Sequence, residues 1–100
     1  MADSKSILLR MLNNLKFHYL SRAEFHRALE IVECQCRALP GNPGLRFEQG
    51  ELWLRLGSIG GARRAFLETA RIAAEQRSDA IGELARRRLA ALQGRNDTLH

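Results

Sequence analysis

Shifted by 34 residues the chain aligns with itself, and this self-similarity constrains the fold more tightly than any feature of composition. Tyr19 falls on Trp53, Leu20 on Leu54, Ala23 on Gly57, Phe25 on Ile59, Ala28 on Ala62 and Val32 on Phe66. Each pair keeps its size or its place in a helix. The 100 residues then hold two units, about 9–42 and about 43–76, followed by a shorter remainder. A period of this length is one helix–turn–helix, which cannot bury its apolar face alone and must stack on its neighbour.

Within each unit the apolar spacing is helical. Leu8, Leu12, Leu15 and Tyr19 form one stripe of a helix over about 5–20, which Asp3 or Ser4 can cap. Ser21-Arg22-Ala23-Glu24 has the form of a capping box for a second helix, whose inward side carries Phe25, Ala28, Leu29, Val32, Cys36 and Leu39. Pro40-Gly41-Asn42-Pro43-Gly44 stops it. A third helix over about 44–56 carries Leu45, Gly50, Trp53, Leu54 and Leu56. A fourth, to about Gln76, turns Ile59, Ala62, Phe66, Ala70 and Ala73 inward. Asp79 caps a fifth helix over about 80–93 that offers Ile81, Leu84, Leu89 and Leu92 for packing. Gly94 is placed to end it, and 95–100 read as a disordered tail. Nothing alternates with period two. The expected fold is all-α, a single helical-repeat domain of two helix pairs and a C-terminal capping helix at about 79–93.

The 34-residue helix pair resembles the tetratricopeptide repeat. The first unit has Leu12, Leu15, Tyr19, Ala28, Val32 and Pro40 at positions of that signature, and the second has Gly50, Trp53, Gly57, Ala62 and Phe66. Lys16, Ala23, Arg46, Gln49 and Ala74 depart from it. The opening run Ile7-Leu8-Leu9-Arg10-Met11-Leu12-Asn13-Asn14-Leu15-Lys16 also resembles the start of the C-terminal repeat region of bacterial SirB-type transglutaminase-like proteins, over about residues 7–93. In that family a papain-like domain precedes the repeats. Its catalytic domain has no counterpart here, so the resemblance implies no catalytic residue in this chain.

Sixteen basic against eleven acidic residues give a net charge of +5. Fourteen of the bases are Arg, scattered among acids along helical faces; the dense run is Arg86-Arg87-Arg88, to which Arg63-Arg64 can add in space. A basic stripe without stacking aromatics makes nucleic acid the second choice of partner. The apolar opening Ile7-Leu8-Leu9 is cut by Arg10, which fits neither a signal peptide nor a membrane span, and a cytoplasmic protein is expected. Cys34 and Cys36 point to nearly opposite sides of their helix, which disfavours a disulfide or a shared metal. Neither thiol has an electropositive turn beside it to make a nucleophile with His18 or His26. His26 and Glu30 read as an exposed helix pair, and Asn96-Asp97-Thr98 as a chance sequon. No enzyme activity, metal or cofactor is expected.

In stacked pairs the first helix of each unit lines the concave side. That singles out Arg10, Asn13, Phe17 and Leu20 in unit one and Phe47, Glu51, Leu54 and Arg55 in unit two as partner-binding residues. Some tetratricopeptide proteins clamp a terminal carboxylate with Lys and Asn; here Phe17 and Glu48 hold two of the Asn places, which points instead to apolar groove contacts with an Arg rim. Ile7, Leu9 and Met11 add apolar surface to the first helix beyond its core stripe, a face for a second copy of the chain or for an upstream domain. Three readings stay open: a protein-binding scaffold that can form a homodimer, a basic nucleic-acid adaptor, and a detached module of a transglutaminase-like enzyme.

Overall fold

Short polar side chains start three of the helices. In the computed structural model, which describes residues 3–97, Asp3 accepts a bond from the Ser6 N–H at 2.7 Å and opens α1 (Ser4–Ser21). Asn42 accepts from the Leu45 N–H at 3.1 Å and opens α3 (Pro43–Arg55), with Pro43 in the first turn, where its missing N–H costs nothing. Ser58 accepts from the Gly61 N–H at 3.1 Å and opens α4 (Ile59–Gln76). With α2 (Phe25–Ala38) and α5 (Asp79–Asp97), the described residues make the expected all-α fold of five helices and no strand.

The expected capping box at Ser21–Glu24 does not form. Ser21 still belongs to α1 and donates its hydroxyl to the His18 carbonyl at 2.8 Å, while Glu24 makes no side-chain cap. Ala23, at φ 57°, reverses the chain through the left-handed region. The Ala23 N–H then bonds the Leu20 carbonyl and the Glu24 N–H the Tyr19 carbonyl. Thirty-four residues on, Gly57 sits at φ 81°, its N–H bonds Leu54, and the Ser58 N–H bonds Trp53. The repeat is therefore kept in backbone hydrogen bonds as well as in side-chain type. A third turn of this kind, through Arg77 at φ 56° with the Ser78 N–H on the Ala73 carbonyl, joins α4 to α5.

Packing is tightest between α3 and α4, where each helix offers a glycine notch to an aromatic ring of the other. A Cβ on Gly50 would lie 2.5 Å from the Phe66 ring, and one on Gly61 would lie 2.7 Å from the Trp53 ring. Phe66 is fully buried among Ala62, Ala85 and Leu92, so this core spans α4 and α5, with Phe47 and Leu54 of α3 packed on it. The other core joins α2 to α3 through Ala28, Leu29, Val32, Cys36, Leu45 and Leu52.

In unit one long cations stand at both notch positions: Lys16 at the place of Gly50, buried, and Arg27 at that of Gly61, exposed. Lys16 is the single buried residue of α1. Leu12 and Tyr19 of the expected core stripe are half-buried, while Leu8 and Leu15 are exposed, at 50% and 41%. The far end also differs from expectation. Asp79 is the first helical residue of α5, not a residue ahead of it. Gly94 does not end α5, which continues to Asp97, so 95–97 of the expected tail are helical and 98–100 lie outside the described residues. Leu84 is exposed instead of packed. No helix among the described residues is long and apolar enough to cross a membrane.

Two glycine positions give measurable expectations. Gly50→Ala drives a methyl group into the Phe66 ring and will destabilise the fold by about 1–3 kcal/mol in urea unfolding despite alanine's higher helix propensity. Ala23→Gly relieves a left-handed alanine and will raise stability by several tenths to about 1 kcal/mol.

Candidate functional site

On one face of the molecule, two adjoining hollows run across both units. The first, about 500 Å³, is lined by Leu20 and Phe25 from the α1–α2 side and by Phe47, Glu48, Glu51, Leu52 and Arg55 of α3. The second, about 320 Å³, contains Leu9, Asn13, Lys16 and Phe17 of α1, with Gln35, Leu39 and Leu45 behind them and Glu48 in common with the first. Six of the residues expected to meet a partner, Asn13, Phe17, Leu20, Phe47, Glu51 and Arg55, thus line one groove. Arg10 is exposed and lines neither hollow. Leu54 also lines neither: it packs on the core of Phe66 and Leu92, because the tight α3–α4 contact turns that side of α3 inward.

The floor of the groove is polar and internally paired. Lys16, its side chain 5% exposed, donates to Glu48 at 2.7 Å and lies 5.5 Å from the centre of the Phe17 ring. Burying an ammonium costs several kcal/mol unless an opposite charge and hydrogen bonds compensate it, and Glu48 supplies both. Glu48 therefore has a structural duty besides opposing an anionic ligand. Beside this pair, Gln35 donates to Asn13 at 2.7 Å, and its buried Oε1 atom accepts no hydrogen bond within the chain.

Basic groups close over the aromatic rings at the other end. The Arg55 guanidinium lies 5.7 Å from the centre of Phe25, and Arg88 of α5 lies 5.6 Å from that of Phe47 while pairing with Glu51 at 2.6 Å. The dense basic run is consequently engaged. Arg86 and Arg87 both pair with Glu83, and the bond from Arg86, then its charge, then the bond from Arg87 hold the Glu83 carboxyl below its ordinary range. Two of the signature departures, Arg46 and Gln49, find a use on the opposite face. Gln49 donates to Glu33 at 3.3 Å and accepts from Arg46 at 3.3 Å, a polar link between α2 and α3.

Lys16, Gln35, Glu48 and Arg88 escaped the sequence reading as groove residues. A signal existed for Lys16, a cation where the twin unit carries glycine. Nothing local marks Arg88, which reaches Glu51 across 37 residues. The apolar face of α1 also shifts: Leu9 is half-buried and lines the second hollow, whereas Leu8 and Leu15 join Ile7 and Met11 in solvent. Burial pushes the Cys36 thiol up, opposite to what a nucleophile needs, and Cys34 accepts a bond from Arg37 at 3.2 Å. Among the described residues no three His, Cys, Asp or Glu side chains converge as a metal site. Comparison with protein-family models, with curated proteins and with solved structures finds no match to the chain.

The paired floor sets a directional expectation. Glu48→Gln leaves the Lys16 ammonium buried without its counter-charge and will cost about 1–3 kcal/mol in urea unfolding, whereas Lys16→Met, which removes the charge and keeps the stem, will cost less than about 1 kcal/mol.

Proposed function

We propose that this chain is a non-catalytic protein-interaction module of the tetratricopeptide type that holds a peptide or helix of another protein in the groove between its two units. The observation that carries this reading is the contiguity of Leu20, Phe25, Phe47 and Leu52 in one hollow, assembled from both units. Isolated apolar surface residues are ordinary, but a contiguous set rimmed by Glu51 and Arg55 offers an apolar anchor site with polar groups to orient the anchor. Phe17, 62% exposed, extends that site along α1. The cytoplasm is the proposed compartment, in keeping with two unpaired cysteines. The resemblance of the opening run to SirB-type proteins suggests one partner to try first, a papain-like domain of that family supplied as a separate chain.

Glu83 and Glu51, beside Arg86, Arg87 and Arg88, leave the run a small net positive charge, which weighs against the nucleic-acid alternative. Salt separates the two. Peptides selected from a random displayed library and measured by fluorescence anisotropy will lose less than about threefold in affinity between 50 and 200 mM salt, against about a thousandfold or more for a nucleic-acid binder making several phosphate contacts. Phe17→Glu and Leu20→Ser will each weaken the selected peptide at least about tenfold, and Arg87→Gln will leave it unchanged. Failure to enrich any peptide, or binding insensitive to both groove variants, overturns the reading.

A further inference from the structure

The solvent-facing side of α1 has a counterpart elsewhere in the fold that shows what kind of surface it is. Ile7, Leu8, Met11 and Leu15 lie within an arc of about 100° on the helix and are 48%, 50%, 57% and 41% exposed. Moved by one repeat, Met11 becomes Leu45 and His18 becomes Leu52, the two α3 residues buried against α2 at 8% and 6% exposure. This side of α1 therefore occupies the position at which, one unit later, a helix packs.

We propose that it is covered by the same face of a second copy, with the two α1 helices antiparallel across a two-fold axis at Met11. Three of its four residues are symmetric about Met11: Ile7 and Leu15 lie four positions to either side, so Ile7 of one copy meets Leu15 of the other and Met11 meets Met11, while Leu8 faces Asn14 at the margin. No charged residue lies within the strip. At its ends, antiparallel pairing brings the Asp3 carboxylate of one copy to the His18 and Arg22 end of the other, and opposes the two helix dipoles. Parallel pairing would set Asp3 on Asp3 and Arg22 on Arg22.

The other end of the molecule cannot substitute for this face. The solvent side of α5 presents Glu83, Arg86 and Arg87 around a lone exposed Leu84, a polar cap on which the α1 strip would strand its apolar groups. Association through α1 alone closes as a dimer, whereas α1 on α5 would propagate. In size, the four side chains amount to a patch on the order of 400 Å², within the range of the largest patch on a monomer and one that is often functional. Two such patches with the margins at Ser4, Asn14 and His18 bury about 1,000 Å² in total, the size of a weak, reversible interface.

The test is the mass by light scattering from about 1 to about 100 µM, with register read by cross-linking. Mass will rise from 11.3 kDa towards twice that value. Met11→Glu, at an exposed position and checked for folding by its thermal transition, will hold the lower mass throughout. Phe17→Glu and Leu84→Glu will leave dimerisation unchanged, which separates this face from the groove and from α5. In a Cys34→Ser background, Met11→Cys will oxidise to a dimer with itself, and Ile7→Cys will do so efficiently only when mixed with Leu15→Cys. A mass fixed at 11.3 kDa, association unmoved by Met11→Glu, or cross-linking through Leu84→Cys in place of Met11→Cys overturns the proposal.

Discussion

How closely two helices approach is decided by what stands at the crossing, and in this chain the crossing of α3 with α4 is built from two reciprocal notches. Gly50 admits Phe66 and Gly61 admits Trp53, so neither aromatic has to be accommodated by moving the helices apart. The consequences spread outward. Phe66 in its notch packs against Phe47 with the rings tilted at 54° and their centres 5.2 Å apart, which fixes one wall of the groove. The same placement exposes the far side of Phe66 to α5, whose Ala85 and Leu92 complete the core. Leu54 is drawn into that core, and Arg88 is brought over Phe47.

Unit one shows what the same backbone does without notches. With Lys16 and Arg27 in their place, the first pair cannot close in the same way, and Arg27 extends over the Tyr19 ring at 5.8 Å. Val32, smaller than its counterpart Phe66, is matched to an α1 that carries the larger residue at the crossing. The exchange turns a dry contact into a charged one, and the charge needs a partner. That partner comes from the next unit: α1 and α3 make no close backbone approach, yet Lys16 and Glu48 join them directly. A stack of repeats ordinarily holds by neighbouring apolar faces; here one ion pair also ties the two groove-lining helices.

Much of the architecture was legible because it is periodic. The 34-residue alignment located both pairs, and Asp3 as a cap and the Pro40–Gly44 run as a stop agree with the helix ends found; the caps that Asn42 and Ser58 supply to α3 and α4 escaped the sequence reading. The Ser21–Glu24 motif misled because a capping box needs its Ser immediately ahead of the helix, and the turn through left-handed Ala23 keeps Ser21 in α1 and puts Glu24 at that place instead. Gly94 misled because a glycine tolerated within a helix and one that ends it look alike in sequence. For α1, a period-3.6 stripe fixes that a helix is amphipathic but not which neighbour covers it, so Leu8 and Leu15 read as core although they stay 50% and 41% exposed. Of the groove, Asn13, Phe17, Leu20, Phe47, Glu51 and Arg55 followed from helical geometry, whereas the Lys16–Glu48 pair, Gln35 on α2 and Arg88 from α5 depend on tertiary approach that no local pattern encodes.

The groove and the outer apolar strip share one helix, and this couples them. Among the described residues α1 buries a single residue of its own, so its hold on the stack rests on its contact with α2 and on the Lys16–Glu48 bond. In a quasi-linear stack a helix held by one neighbour opens more readily than one held between two. A body seated on Ile7, Met11 and Leu15 gives α1 a second neighbour, and whatever favours the docked helix favours Asn13, Lys16 and Phe17 in place along the groove. By linkage the effect is mutual: a ligand held against Phe17 and Leu20 orders the same helix and so strengthens association on its far side. With lysine at position 16 where unit two has glycine, α1 packs less closely on α2 than α3 does on α4, so on that proposal the α1 wall of the groove depends on what covers this helix.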